Sequence, residues 1–129
     1  MFKSDTTSDE YQLTFDYRSE YLIAKVSGVK DSVEVTCDYW KRVGEELRST
    51  GYKKVLVLEM LRDTITVDEG VRCVRARDTD SFSGVKIAFI DIRADHNKVN
   101  AFVHGACILA GFHTRVFTNL RDAKEWLTK

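Results

Sequence analysis

The chain has 129 residues, of which 43% are hydrophobic and 31% are charged, and its 20 basic side chains balance its 20 acidic ones. This length and composition are typical of one globular domain and exclude a disordered or fibrous chain. Zero net charge argues against a general nucleic-acid binder, which needs a basic excess to displace counterions.

The first ten residues are polar and acidic, and they contain no apolar segment of the kind found in signal peptides. Apolar stretches elsewhere in the chain are short, whereas a membrane-spanning helix needs about 20 residues. We therefore expect a polar tail over residues 1–10, a single domain over residues 11–129, no membrane span and a cytoplasmic location.

The first two predicted strands form an antiparallel hairpin. Apolar and polar residues alternate over residues 11–17, which is typical of a half-buried strand, and a second apolar run follows at residues 21–29. A helix is then expected to begin at Asp31, with Glu34 completing a capping box, and to end at Gly51. The predicted buried face of this helix comprises Val33, Cys37, Trp40, Val43 and Leu47.

Strands and helices alternate over the remainder of the chain. Residues 55–60, 85–90 and 114–117 predict three further strands, the first with the continuous apolar character of a strand buried on both faces. Because this alternation demands crossover connections between parallel strands, the sequence predicts an α/β fold. We expect a single-layer mixed sheet of about five strands, an N-terminal β-hairpin followed by βα repeats, with about four helices.

The later helices have predicted caps and buried faces. Thr66 and Glu69 form a second capping box. Asp95 or Asn97 is expected to cap the helix after the next strand. The predicted buried side chains are Val67, Val71 and Val74 in the second helix, Val99, Phe102, Val103, Ala106 and Ala110 in the third, and Leu120, Ala123 and Leu127 in the last.

Polar side chains follow the two central strands of the predicted sheet. In open α/β sheets, ligands and partners meet the loops beyond the carboxyl ends of the strands. The charges there are of both signs, which favours a polar partner surface over a charged substrate funnel, although helix caps and loops alone would also produce such a cluster. The candidate rim consists of Arg62, Asp63, Thr64, Thr66, Asp68, Glu69, Arg72, Asp91, Arg93, Asp95 and His96.

The cysteines show no metal-type spacing. Cys37, Cys73 and Cys107 lie far apart, and we interpret them as three reduced, largely buried thiols. His104 and Cys107 are helical neighbours, so a thiolate–imidazole dyad is conceivable. We interpret His104 as a surface histidine beside a buried cysteine.

Three arginines of the second helix, Arg72, Arg75 and Arg77, suggest phosphate binding at first sight. Acidic residues flank them in the sequence, which favours a solvated and locally neutralised face instead. The chain has no phosphate-binding loop, nucleophile elbow or zinc-protease motif. The sequence therefore predicts no catalytic, cofactor-binding or metal-binding residue.

Three segments resemble a known family: GYKKVLVLEM at the central strand, ITVDEGV at the following helix, and GFHTRVFTNLRDAKEWL near the C-terminus. On these segments the chain resembles the STAS superfamily, the fold of anti-sigma-factor antagonists. It is similar in particular to small stand-alone bacterial proteins related to CRAL-TRIO-type lipid-transfer domains. The resemblance covers about residues 11–127 and implies a STAS-like α/β fold.

The phosphorylated serine of anti-sigma-factor antagonists has no counterpart here. In that family the helix after the central strand opens with a DSSG-type sequence, onto which Val67, Asp68, Glu69 and Gly70 fall. Both serine positions are acidic, so the resemblance implies no phosphorylation switch unless Thr64 or Thr66 substitutes. Thr66 is better explained as the helix cap.

Three functional hypotheses follow. The first is a non-enzymatic regulatory or interaction module that uses the candidate rim to contact a protein partner or a second copy of itself. The alternative is a domain that binds a small apolar ligand or lipid, suggested by the superfamily link and the aromatic content of the chain. The least favoured is a small enzyme using Cys107 with His104, or the acidic residues of the rim.

Overall fold

A computed structural model describes residues 5–7, 11–28, 32–62 and 64–129. The strands are β1 (Asp5–Thr7), β2 (Gln12–Tyr17), β3 (Leu22–Gly28), β4 (Lys54–Leu61), β5 (Lys86–Asp91) and β6 (His113–Phe117). The helices are α1 (Val33–Thr50), α2 (Val67–Ala76), α3 (Asn97–Leu109) and α4 (Leu120–Thr128), with a 3-10 turn at Ala94–His96 before α3.

The strands form one mixed sheet in chain order, from β1 at one edge to β6 at the other. β2 pairs antiparallel with both β1 and β3, whereas β3, β4, β5 and β6 are parallel to one another. The predicted α/β class, with its N-terminal hairpin and βα repeats, is confirmed. Within the predicted polar tail, residues 5–7 add a short edge strand to the sheet.

Each face of the sheet has its own core. Side chains of α1, α2 and α3 pack on one face against residues such as Val55 and Val57 of β4. The intervening Leu56 points to the other face, where Ala123 and Leu127 of α4 cover it. β4 is therefore buried on both sides, which is why its sequence is apolar almost throughout.

α1 begins and ends with short-range hydrogen bonds. The predicted cap, Asp31, lies outside the described residues, and the cap is Ser32, whose Oγ accepts a hydrogen bond from the Val35 amide at 3.1 Å. Aspartate and serine cap helices about equally well, so residue type alone does not show which of these two adjacent positions is the cap. Gly51 ends α1 as predicted, in the left-handed conformation at φ 81°, with its amide donating to the Leu47 carbonyl.

The buried face of α2 differs from the prediction. Gly70, Cys73 and Val74 are buried, whereas Val67 and Val71 are partly exposed. A Cβ at position 70 would collide with Cγ2 of Val103, so the close approach of α2 and α3 at this point requires a glycine.

α3 also departs from the prediction. Neither Asp95 nor Asn97 caps it, since the 3-10 turn leads directly into the helix and His96 occupies the cap position without a side-chain cap bond. The predicted inward residue Phe102 is 68% exposed, and Ala110 is exposed as well. Apolar residues occur on both sides of this helix, so their spacing does not show which side faces the core.

A disulfide joins α1 to α2. Cys37 and Cys73 are bonded, with their Cα atoms 5.2 Å apart, and Cys107 is free and buried. The prediction of three reduced thiols is therefore wrong for the first two. No helix in the described part of the chain is long and apolar enough to cross a membrane.

Candidate functional site

The loops that follow β4 and β5 meet at one edge of the sheet. β4 and β5 are parallel neighbours, and Glu59 lies opposite Asp91 in their register. The Ile92 amide donates to the Glu59 carbonyl at 3.3 Å, and Nε2 of His96 lies 3.2 Å from the Arg62 carbonyl oxygen. These contacts hold the two loops together, as the carboxyl ends of parallel strands predict.

Asp91 is the centre of a buried hydrogen-bond network. Its Oδ1 accepts from the Arg93 amide at 3.0 Å, and its Oδ2 accepts from Nδ2 of Asn100 at 3.0 Å. Nδ1 of His96 lies 2.8 Å from the same Oδ2, and both side chains are 2% exposed. The network ties the end of β5 to the 3-10 turn and to α3, so the intervening loop is held from both ends.

Both ring nitrogens of His96 face oxygen acceptors, namely the Asp91 carboxylate and the Arg62 carbonyl. The ring donates to both oxygens only when each nitrogen carries a proton. If a divalent cation were bound at Nδ1, Nε2 would carry the proton and donate a hydrogen bond to the Arg62 carbonyl oxygen. Carbonyl groups commonly accept such a hydrogen bond from metal-bound histidines.

Glu59, Asp91 and His96 form the group of described residues that could hold such a cation. Their nearest ligand atoms lie within 4.8 Å of one another, and all three side chains are buried. Each already has a hydrogen-bond partner, including the Tyr39 hydroxyl, which donates to Oε1 of Glu59 at 2.6 Å. Hydrogen bonding therefore accounts for the burial of these three polar groups.

The residues of the predicted rim differ in their exposure to solvent. Asp91 and His96 are buried beneath it, Glu69 is half-buried, and Asp63 lies outside the described residues. Ile92, which the sequence did not single out, is 59% exposed in the same loop. The exposed members are Arg62, Thr64, Thr66, Asp68, Arg72, Arg93 and Asp95, and we call these seven residues with Ile92 the rim surface.

Thr66 and Glu69 have a structural role at the start of α2. The Glu69 amide donates to the Thr66 hydroxyl at 3.2 Å, and the Thr66 amide donates to the Glu69 carboxylate at 2.9 Å, as a capping box predicts. This backbone hydrogen bond lowers the pKa of the Glu69 carboxyl group. The expected capping box is confirmed.

Thr66→Ala should lower the free energy of unfolding by about 1 kcal/mol, because an orphan amide of α2 loses its acceptor. Thr66→Ser keeps the hydroxyl and should stay near the wild type. Urea denaturation of the three proteins checks this, and equal midpoints for the alanine and serine variants would show that the cap is energetically silent.

The conceivable dyad of His104 and Cys107 is not assembled. Nε2 of His104 lies 3.0 Å from the Thr114 carbonyl oxygen, whereas Sγ of Cys107 accepts a hydrogen bond from Nη1 of Arg77 at 3.7 Å. Burial raises the pKa of the Cys107 thiol. A buried thiol with a raised pKa is a poor nucleophile, so the structure gives the enzyme hypothesis no support from this pair.

Arg77 contradicts the predicted solvated face. Its guanidinium group lies over the Trp40 ring, 4.1 Å from the ring centroid, and its Nε is buried without a hydrogen-bond partner among the described residues. Arg72 and Arg75 are exposed, as expected. The sequence did not single out Arg77, because it belongs to the same run of arginines and flanking acidic residues as the exposed Arg72 and Arg75.

Two cavities adjoin Arg77. The smaller, of about 60 Å³, lies between the sheet and α3 and is also lined by Glu59, Thr64 and Asn100. The larger, a groove of about 400 Å³, lies between α1 and the segment that follows α2. Ligand pockets commonly have volumes of about 300–1,000 Å³, so the groove has the size of a small-molecule site.

Comparisons with known proteins give structural likenesses. No family model matches the chain, and no curated protein matches it. The NMR structure of the protein TM1081 is similar at a TM-score of 0.49 and 16% sequence identity, over 89% of this chain and 87% of that chain. None of these comparisons names an activity.

Proposed function

We propose that this chain is a non-enzymatic regulatory module of STAS-like fold that contacts a protein partner through the rim surface. The observation that carries the proposal is an exposed loop held by a buried network. Ile92, Arg93 and Asp95 are exposed, yet Asp91 and His96 on either side of them are buried and hydrogen-bonded.

The composition of the rim surface supports a protein partner. An exposed isoleucine among charges of both signs is typical of protein interfaces, where an apolar contact is surrounded by polar groups. A loop that is ordered before binding also loses less conformational entropy when the complex forms. The side chains that pre-order this loop, Asp91 and His96, are buried beneath it.

Charge reversal tests this proposal. Arg62→Glu with Arg93→Glu changes the rim surface, and Lys53→Glu with Lys129→Glu makes the same change in charge at exposed positions away from it. We expect quantitative capture from the source cells to give at least one protein that binds the wild type and the control variant. The amount of this protein captured by the rim variant should be lower by tenfold or more. Identical capture by all three proteins would contradict the proposal.

A second candidate function is the binding of a small, largely apolar ligand. The groove of about 400 Å³ beside Trp40 and Phe82 favours it. Such a ligand would contact the helical side of the domain, whereas the rim surface lies at the carboxyl edge of the sheet. The two functions are therefore compatible in one molecule.

A further inference from the structure

Arg77 is a cation enclosed by aromatic rings. It follows the last residue of α2, and its guanidinium carbon lies 4.1 Å from the ring centroid of Trp40 and 5.2 Å from that of Phe112. The Phe82 ring completes the enclosure at 5.9 Å. Aromatic faces stabilise a guanidinium group, but they supply no formal negative charge.

The polar contacts of Arg77 leave this charge uncompensated. Among the described residues, the side chain donates to Sγ of Cys107 and forms no ion pair with a carboxylate. Burial raises the pKa of the Cys107 thiol, which keeps this neighbour neutral. Arg77 is partly enclosed, and its Nε is buried without a hydrogen-bond acceptor in the described part of the chain. A charge that is removed from water without a counter-charge is costly.

The groove beside Arg77 has room for the missing counter-charge. Trp40, Ala76 and Phe82 give it apolar walls, and the charged residues that line it are Lys41, Arg48 and Arg77 against Glu45 and Asp78. Three positive and two negative groups leave an excess of one positive charge. This excess matches a monoanion, whereas a dianionic phosphate would exceed it.

We propose that the groove binds an organic monocarboxylate whose carboxylate group pairs with Arg77 and whose apolar chain packs on Trp40 and Phe82. The planar guanidinium group can donate parallel hydrogen bonds to a carboxylate, and because Nε has almost no accessible surface, the ligand would be bound by the terminal nitrogens. This inference rests on the second candidate function, to which it adds the chemical class of the ligand.

Calorimetric titration with octanoate tests the proposal, with 1-octanol and octylammonium as probes of the same chain length. We expect octanoate to bind with a Kd of about 1 mM or lower, and at least tenfold more tightly than either control. Arg77→Met should weaken octanoate binding tenfold or more, whereas Arg75→Met, which removes an exposed arginine from the same helix, should leave it unchanged.

Each alternative outcome is distinguishable. Equal binding of octanoate and 1-octanol, or unaltered octanoate binding by a folded Arg77→Met variant, would overturn the carboxylate inference while leaving apolar ligand binding in place. Absence of binding by all three probes would overturn both. Should Arg77→Met fail to fold by circular dichroism, the comparison of the three probes on the wild-type protein still decides the question.

Discussion

Asp91→Ala should lower the free energy of unfolding by about 3–5 kcal/mol, a large part of the roughly 5–15 kcal/mol that stabilises a typical domain. The substitution removes the acceptor of the Arg93 amide and of the Asn100 side chain, and it leaves the buried His96 ring without its carboxylate. Buried polar groups that lose their partners account for most of such costs. Urea denaturation measures the change directly.

The matched control is Asp95→Ala. Asp95 belongs to the same loop, but its side chain is 64% exposed and pairs with the Arg93 guanidinium at 3.2 Å on the surface. Exposed ion pairs contribute little, so this variant should stay within about 0.5 kcal/mol of the wild type. Equal effects of the two substitutions would contradict the central position of Asp91 in the network.

Reduction of the Cys37–Cys73 disulfide should have the next largest effect. The bond joins residues separated by 36 positions, and constraint of the unfolded chain over such a loop is worth about 3–4 kcal/mol. We expect the oxidised protein to unfold at a clearly higher urea concentration than the same protein in dithiothreitol.

The double variant Cys37→Ser with Cys73→Ser serves as the control. It should match the reduced wild type and be insensitive to dithiothreitol, because Cys107 is then the one cysteine left in the chain. Intact mass, which falls by the mass of two hydrogen atoms on oxidation, confirms the redox state of each sample. A wild-type protein with proven oxidation and the same stability in both buffers would show that the bond constrains little.

The order of strands and helices could be predicted from local patterns, but the helix faces could not be predicted equally well. Alternation and apolar runs located β2 to β6, and Thr66 with Glu69 located the start of α2. In α3, Phe102 is exposed whereas the adjacent Val103 packs against the core, and only the packing of the helix decides which of these apolar residues is covered.

The cysteine pairing shows the same limit. Each of the three crossover helices carries one cysteine, and α2 packs against both α1 and α3. The spacing therefore permits Cys73 to face either neighbour, and the relative rotation of the helices selects Cys37. The number and spacing of the three cysteines do not show which two of them are bonded.

The sequence predicted that the loops after β4 and β5 meet, but it did not predict which of their polar side chains are buried. The carboxyl ends of β4 and β5 do meet, and Arg62, Asp91 and His96 are in contact there. The sequence did not reveal that Asp91 and His96 lie beneath the surface, because burial of a polar group depends on partners distant in the chain. Arg62 and Asn100 supply those partners from other elements.

The claim that the rim surface is a partner site is tested most directly by site-specific photo-crosslinking. Photoreactive benzoylphenylalanine in place of Ile92 samples the centre of the rim surface, and the same group in place of the exposed Lys53 samples the opposite end of the sheet. In the source cells, irradiation should give a discrete adduct of higher mass from position 92 and none from position 53, whether the captured chain is another protein or a second copy. No adduct from position 92, or the same adduct from both positions, would contradict the account.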